Sequence, residues 1–169
     1  MILFSKFGYA LRHKFTYQPE TKSGSLTLWS SYNGSYFSPN PSVNGGNPLS
    51  ELFSIDSQRY GGNHRTEFLI GDENDVFSLL ASLIMIKNGK EYSFSNYQDR
   101  EISFSITETE NGQNKIVIAK IHYSTNFGVL TLDEVNELEI ITRNTLTNLG
   151  FSNQEIAEKL ERKLSQSAN

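Results

Sequence analysis

The sequence predicts an α+β fold: two antiparallel four-stranded sheets, each followed by a helix, with a further helix appended at the C-terminus. Three observations carry that expectation. Alternating apolar and polar runs, the period of half-buried strands, recur in both halves of the chain. Asn33-Gly34 and Asn111-Gly112 punctuate them, each suited to a type I′ turn that needs positive φ at both central residues. Each set of strands then gives way to an apolar stripe at helical spacing.

Taken in order, Tyr9 to Tyr17 reads as the first strand, with Tyr9, Leu11, His13, Phe15 and Tyr17 on one side and Ala10, Arg12, Lys14 and Thr16 on the other. His13 lies within that apolar face and is expected to be a core or edge histidine with a hydrogen-bond partner rather than a ligand. Pro19 to Gly24 makes the connection. Ser25 to Asn33 and Ser35 to Ser38 read as a hairpin around Asn33-Gly34. In that register Ser31 opposes Tyr36, Ser30 opposes Phe37 and Trp29 opposes Ser38. Leu26, Leu28 and Phe37 share the core face; Thr27, Trp29, Ser31, Tyr36 and Ser38 share the other. A long loop follows over about 39–65, rich in Pro, Gly, Asn and Ser at its start, of the kind that is either functional or disordered. Thr66 to Ile70 is a short strand. Asp72, Glu73 and Asp75 precede Val76, Leu79, Leu80 and Leu83, an amphipathic helix with acids at its positive end. Those acids lack the loop spacing of a calcium-binding hand, so they are read as helix caps.

The second half repeats the order. Tyr92 to Tyr97 is a strand, and Ile102, Phe104 and Ile106 then alternate with Ser103, Ser105 and Thr107. A two-residue loop at Asn111-Gly112 sets Ile106 opposite Val117, Phe104 opposite Ala119 and Ile102 opposite Ile121. A further strand runs on to Val129, interrupted near Asn126 and Gly128. Thr131 stands three residues before Glu134, the capping-box spacing. Val135, Leu138, Ile141, Leu146 and Leu149 continue as a helical stripe, which Gly150 is placed to end in a left-handed cap. Ser152 and Glu155 repeat the capping spacing ahead of Ile156, Leu160 and Leu164. The expected organisation is one domain over 1–151, with a C-terminal helix and tail at 152–169.

A chain of 169 residues that is 37% hydrophobic suits a single well-filled core. With no cysteine, disulfides, thiol catalysis and Cys-based zinc sites are excluded. No apolar run approaches the roughly 20 residues that cross a bilayer. Met1-Ile2-Leu3-Phe4 does not read as a signal peptide, so a cytoplasmic location without a membrane is expected. The net charge of −4 is uneven: residues 1–70 carry +2, the remainder −6. The first part also holds 12 of the 20 aromatic residues and the only tryptophan. An aromatic, mildly basic half with an acidic back suits a binding face.

The order of elements resembles the Whirly family of single-stranded-DNA-binding proteins, and is similar to coactivator-type single-strand binders and mitochondrial guide-RNA-binding proteins. The resemblance runs from Lys6 to Phe151. Gly24-Ser25-Leu26 through Gly34-Ser35-Tyr36-Phe37 fits the family's first strand pair, and Phe77-Ser78-Leu79-Leu80 through Leu83-Ile84-Met85 its first helix. Glu91-Tyr92-Ser93-Phe94 resembles its aromatic strand, and Asn111-Gly112 sits where the family has an Asp-Gly hairpin. Lys6-Phe7-Gly8-Tyr9-Ala10-Leu11 keeps the first, fifth and sixth residues of its Lys-Gly-Lys-Ala-Ala-Leu motif, with Gly8 in place of the second lysine. The resemblance implies a homotetramer, with helices from neighbouring protomers packed at its centre; the stripes Val76 to Leu83 and Val135 to Leu149 are the candidates.

The expected function is non-enzymatic, sequence-tolerant binding of single-stranded DNA, or of RNA, in replication, recombination or repair. Bases would stack on aromatic residues while cations track the phosphates; the candidates are Lys6, Arg12, Lys14, Trp29, Tyr36, Arg59, Tyr60 and Arg65. The alternative is an adaptor or inhibitor using the same aromatic face on a protein, where Tyr and Trp also dominate binding energy. No cofactor or metal is expected. His13, His64 and His122 stand in no recognisable nucleophile motif, and no phosphate-cradling glycine loop is present.

Overall fold

The computed structural model describes residues 3–7, 13–31, 63–111, 114–123 and 126–167, with the side chains of most of them. The fold is α+β, with two antiparallel sheets and three helices among the described residues. In the first sheet β1 (Leu3–Phe7), β2 (His13–Gln18), β3 (Ser23–Ser31) and β4 (Asn63–Ile70) lie side by side in chain order. Alternation decides its inner face. His13, Phe15 and Tyr17 are buried while Lys14, Thr16 and Gln18 between them are half-buried. Phe15 opposes Leu26, which opposes Phe68, and Tyr17, Gly24 and Ile70 form the next row.

The membership of this sheet includes pairings that the sequence reading did not expect. Of the run from Tyr9 to Tyr17, residues 9–12 lie outside the described residues and the rest is strand, with Leu3–Phe7 antiparallel to it, Phe7 opposite His13 and Lys6 opposite Lys14. β3 pairs along its length with β4, which sets Trp29 opposite Arg65, Ser30 opposite His64 and Ser31 opposite Asn63. β4 brings Phe68 and Ile70, both buried, to the core face. Residues 32–62, with the expected Ser35–Ser38 strand and the loop after it, lie outside the described residues.

α1 (Glu73–Lys87) starts where Asp72 Oδ1 accepts the amides of Asn74 and Asp75, as its acids predict. It is more than an amphipathic surface helix, since Val76, Phe77, Leu79, Leu80, Ala81, Leu83 and Ile86 are all buried and so cover most of its circumference. Buried Ser82 donates to the Ser78 carbonyl at 2.8 Å, which satisfies its hydroxyl within the helix. Asp75 is no cap. It is 2% exposed, and its Oδ2 accepts the amide of Gly71 at 2.7 Å and that of Tyr97 at 3.1 Å.

The second sheet runs β5 (Tyr92–Ser95), β6 (Glu101–Asn111), β7 (Asn114–Tyr123) and β8 (Asn126–Thr131). β5 stops short of Tyr97, which lies in the turn that follows. Asn96 organises that turn: its Oδ1 accepts from the amides of Gln98 and Arg100, and its Nδ2 donates to the Leu69 carbonyl in β4 at 2.9 Å. The register between β6 and β7 differs from the expected one by two residues. Asn111 opposes Asn114, Ile106 opposes Ala119, Phe104 opposes Ile121 and Ile102 opposes Tyr123. A shift of two keeps every side chain on its face, so Ile102, Phe104, Ala119 and Ile121 are buried as expected although the Phe104–Ala119 pairing is wrong. The observed register aligns Phe104, Ile121 and Gly128 in one row. Bulk is thereby set beside the residue that has none, and β8 crosses the first sheet at Leu28: a Cβ built on Gly128 would fall 2.5 Å from Leu28 Cδ1.

α2 (Leu132–Asn148) opens with the expected capping box, Glu134 N–H donating to Thr131 Oγ1 at 3.2 Å and Thr131 N–H to Glu134 Oε1 at 2.9 Å. It closes as expected with Gly150 at φ +105°, Phe151 N–H returning to the Leu146 carbonyl and Gly150 N–H to that of Thr147. α3 (Asn153–Ser167) starts with the second capping box, Ser152 with Glu155. Ile156 and Leu160 are buried, and the helix packs on the chain's own body. Val76, Leu79, Leu80, Leu83, Val135, Leu138 and Leu146 all belong to the core of one chain. The two stripes expected to join protomers are therefore consumed within the protomer.

Candidate nucleic-acid interface

The outer face of the first sheet takes the residues that alternate with the core. Lys14, Thr16 and Gln18 come from β2, Ser23, Ser25 and Thr27 from β3, and Glu67 and Leu69 from β4. Hydroxyls dominate, since small polar side chains tolerate a pleated, half-solvated surface. Thr16 Oγ1 and Ser25 Oγ stand 3.4 Å apart, and Thr27 Oγ1 lies 3.5 Å from Glu67 Oε2. A shallow hollow of about 500 Å³ lies over Thr16, Gln18, Ser25 and Leu69. Tyr97, 52% exposed, borders it from the turn after β5.

Register decides which sequence candidates meet. Lys6 and Lys14 are directly paired, Lys14 is paired with Thr27, and Thr27 with Glu67, giving one row across the sheet. Trp29, two residues along β3 from Thr27, is paired with Arg65. Four of the eight candidates thus occupy neighbouring register positions on four strands. Arg12, Tyr36, Arg59 and Tyr60 lie outside the described residues. Sequence reasoning missed Glu67 and Tyr97: the first needed the β3–β4 pairing, and the second was assigned to a strand. Glu67 puts a carboxylate in the lysine row, so the face is mixed in charge rather than basic.

The second sheet presents a comparable outer surface. Ser103 opposes His122 and Ser105 opposes Lys120, beside a cleft of about 370 Å³ that Tyr92 also lines. Ser103 Oγ donates to Glu101 Oε1 at 3.1 Å and Ser105 Oγ to the Lys120 carbonyl at 3.4 Å. Burial, with the Lys120 charge nearby, lowers the His122 pKa from its ordinary 6.5, so the imidazole is neutral at pH 7. His13 belongs to neither surface. It is fully buried, its Nε2 3.0 Å from Glu134 Oε2, which bears out its reading as a core histidine with a partner.

Among the described residues no group of three or more His, Cys, Asp or Glu is placed to hold a metal ion, and no helix is long and apolar enough to cross a membrane. Compared with protein families, curated proteins and solved structures, the chain matches none. Among the described residues the outer surface of the first sheet is hydroxyl-bearing, with Lys6, Lys14, Arg65 and Glu67 at its charged register positions.

Proposed function

We propose that the chain is a non-enzymatic, sequence-tolerant binder of single-stranded DNA that lays the strand across the outer face of the first sheet, in replication, recombination or repair. The observation that carries this reading is the register: Lys6 pairs with Lys14, Trp29 with Arg65, and Thr27 links the two pairs along β3. An aromatic residue beside cations, within a field of hydroxyls, is the composition that stacks bases and tracks phosphates without reading sequence. A Whirly-like arrangement of the two sheets, each followed by its helix, and assembly as a homotetramer belong to the same proposal. The tetramer contact must use residues other than the two buried helix stripes.

Few cations and one carboxylate on this face mean that few phosphates are neutralised. The logarithmic salt slope is therefore shallow, on the order of two to four counterions. Stacking supplies the rest at about 1–3 kcal/mol per base. The test is a salt titration against a single-stranded oligonucleotide, with RNA of the same sequence in parallel and mass in solution measured on the same sample. Trp29→Ala weakens binding by about that stacking energy with the slope unchanged, and Lys14→Ala lowers the slope by about one. Unchanged affinity in a folded Trp29→Ala protein sinks the stacking face. No binding at low salt transfers the face to a protein partner.

A further inference from the structure

The helical side of the molecule carries a second charged feature, and it opposes the charge of the chain. Lys159, Arg162 and Lys163 stand at i, i+3 and i+4 on α3, so they share one face of that helix. Across from them lie Asn74 and Glu73 in the first turn of α1, and the three cations with these two residues line a cleft of about 270 Å³. Phe77 and Phe151 close it on the apolar side, edge to face with ring centroids 5.1 Å apart and an interplanar angle of 83°. Three cations against one carboxylate give the lining a net charge of +2, in a chain whose total is −4.

The cations are arranged rather than scattered. Lys163 Nζ is held by Asn74 Oδ1 at 2.8 Å, a neutral acceptor, with the Asp75 and Asp72 carboxylates near enough to act on its charge. Lys159 Nζ sits 5.9 Å from the Phe77 ring centre and 5.8 Å from that of Phe151, so its charge is anchored over the aromatic pair. Arg162 between them is exposed and brings a planar fork of donors. Glu73 also has a cation outside the lining, its Oε2 3.8 Å from Lys22 Nζ. The amides at the start of α1 are capped by Asp72, so side-chain cations and not the helix end supply the attraction.

We propose that this cleft binds the terminal phosphomonoester of a nucleotide. A phosphomonoester carries a charge of about −1.5 to −2 at pH 7 on three acceptor oxygens, which matches the lining charge. A carboxylate, with a single charge and two oxygens, leaves part of that lining unanswered. Arg162 takes two of the oxygens in a bidentate contact, Lys159 and Lys163 the third, and the half-buried edge of Phe151 meets the organic part of the ester. The site stands on α1, α3 and Phe151 in the turn before α3, and does not depend on the sheet face.

The experiment is calorimetric titration of the full chain with adenosine monophosphate, with adenosine, and with a single-stranded oligonucleotide bearing or lacking a 5′-phosphate. The nucleotide binds and adenosine does not, and affinity rises as pH is raised through about 6, where the second phosphate proton leaves. Arg162→Ala weakens nucleotide binding about tenfold or more, whereas Lys90→Ala, an exposed cation away from the cleft, leaves it unchanged. A stronger response to the 5′-phosphorylated strand than to the free nucleotide identifies a strand end as the source; equal responses identify a free nucleotide. Failure of the nucleotide to bind, or equal binding by the Arg162→Ala protein with its melting curve preserved, overturns the site. Oligonucleotide binding that ignores the 5′-phosphate, with no nucleotide binding, does so too and leaves the sheet-face reading standing.

Discussion

Replacing Gly128 with alanine tests the crossing of the two sheets. A Cβ at 128 would stand 2.5 Å from Leu28 Cδ1, 2.8 Å from its Cβ and 3.2 Å from its Cγ, against a usual carbon separation of about 3.5–4.0 Å. Gly128 does not have positive φ, so the conflict is one of space and not of backbone conformation. Leu28 is 1% exposed, and both residues belong to paired strands, so neither side can yield freely. Overpacking of this kind costs about 1–3 kcal/mol, and each kcal/mol lowers Tm by about 2–4 °C in a chain of this size. Leu28→Ala alone costs about 2–5 kcal/mol through the cavity it leaves. It also removes two of the three atoms nearest to the new methyl, Cδ1 and Cγ, so the double variant falls short of the summed losses by roughly 0.5–2 kcal/mol. Urea melts of the four proteins with a common m-value measure this. A Gly128→Ala protein as stable as the parent, or strict additivity in the double variant, would refute the crossing at Leu28.

The remaining expectations are shorter. Gly150→Ala meets nothing within 4 Å, so it costs about 1–2 kcal/mol through its φ of +105° alone, read from a melt. Glu134→Ala removes a capping partner and the contact to His13 together, for about 2–4 kcal/mol; a loss below 1 kcal/mol would dismiss the coupling of cap to core. Burial raises the Asp75 carboxyl above its ordinary 3.8 despite two amide bonds that lower it. The folded state then holds this proton more tightly than the unfolded state, so the group's contribution falls as pH rises from the unfolded value through the folded one. The stability of Asp75→Asn relative to the parent therefore improves across that window, and a constant difference would contradict it. Glu139 has the opposite sign. Burial raises its carboxyl, but hydrogen bonds from Lys87 and Arg143 outweigh this and hold it below 4.5. Its contribution is present above the unfolded value and lost as pH falls through the folded one, so Lys87→Ala costs up to about 1 kcal/mol at pH 7 and less in acid.

Local signals were the readable ones. Both capping boxes and the Gly150 cap depend on residues within one turn, so spacing alone located them. The faces of β2, β3, β6 and β7 were likewise legible from alternation, as buried Leu26, Leu28, Phe104 and Ile121 attest. Register was not. A two-residue slip leaves the faces unchanged, and only the fit of Phe104 and Ile121 beside Gly128 distinguishes one register from the next. The pairing of β3 with β4 was hidden for a different reason: it depends on residues far apart in the chain, while Asn33-Gly34 advertised a nearer partner. Asp75 looked like a cap because its second role requires Tyr97, 22 residues on. In the candidate interface composition pointed to Lys14 and Trp29, but Glu67 entered only with the sheet.

The β3–β4 ladder also bears on the order in which the protein folds. Two residues separate Asn111 from Asn114, whereas 31 separate Ser31 from Asn63. Closing the longer span costs about 2 kcal/mol more in chain entropy, because that cost grows only with the logarithm of length. The second sheet, built from strands adjacent in the chain, can therefore form before the first is complete, and β4 joins β3 late. Weakening a contact that forms late speeds unfolding and leaves the folding rate nearly unchanged. Substitutions at Leu28 or Phe68 thus shorten the lifetime of the folded chain, and those at Phe104 or Ile121 slow its formation.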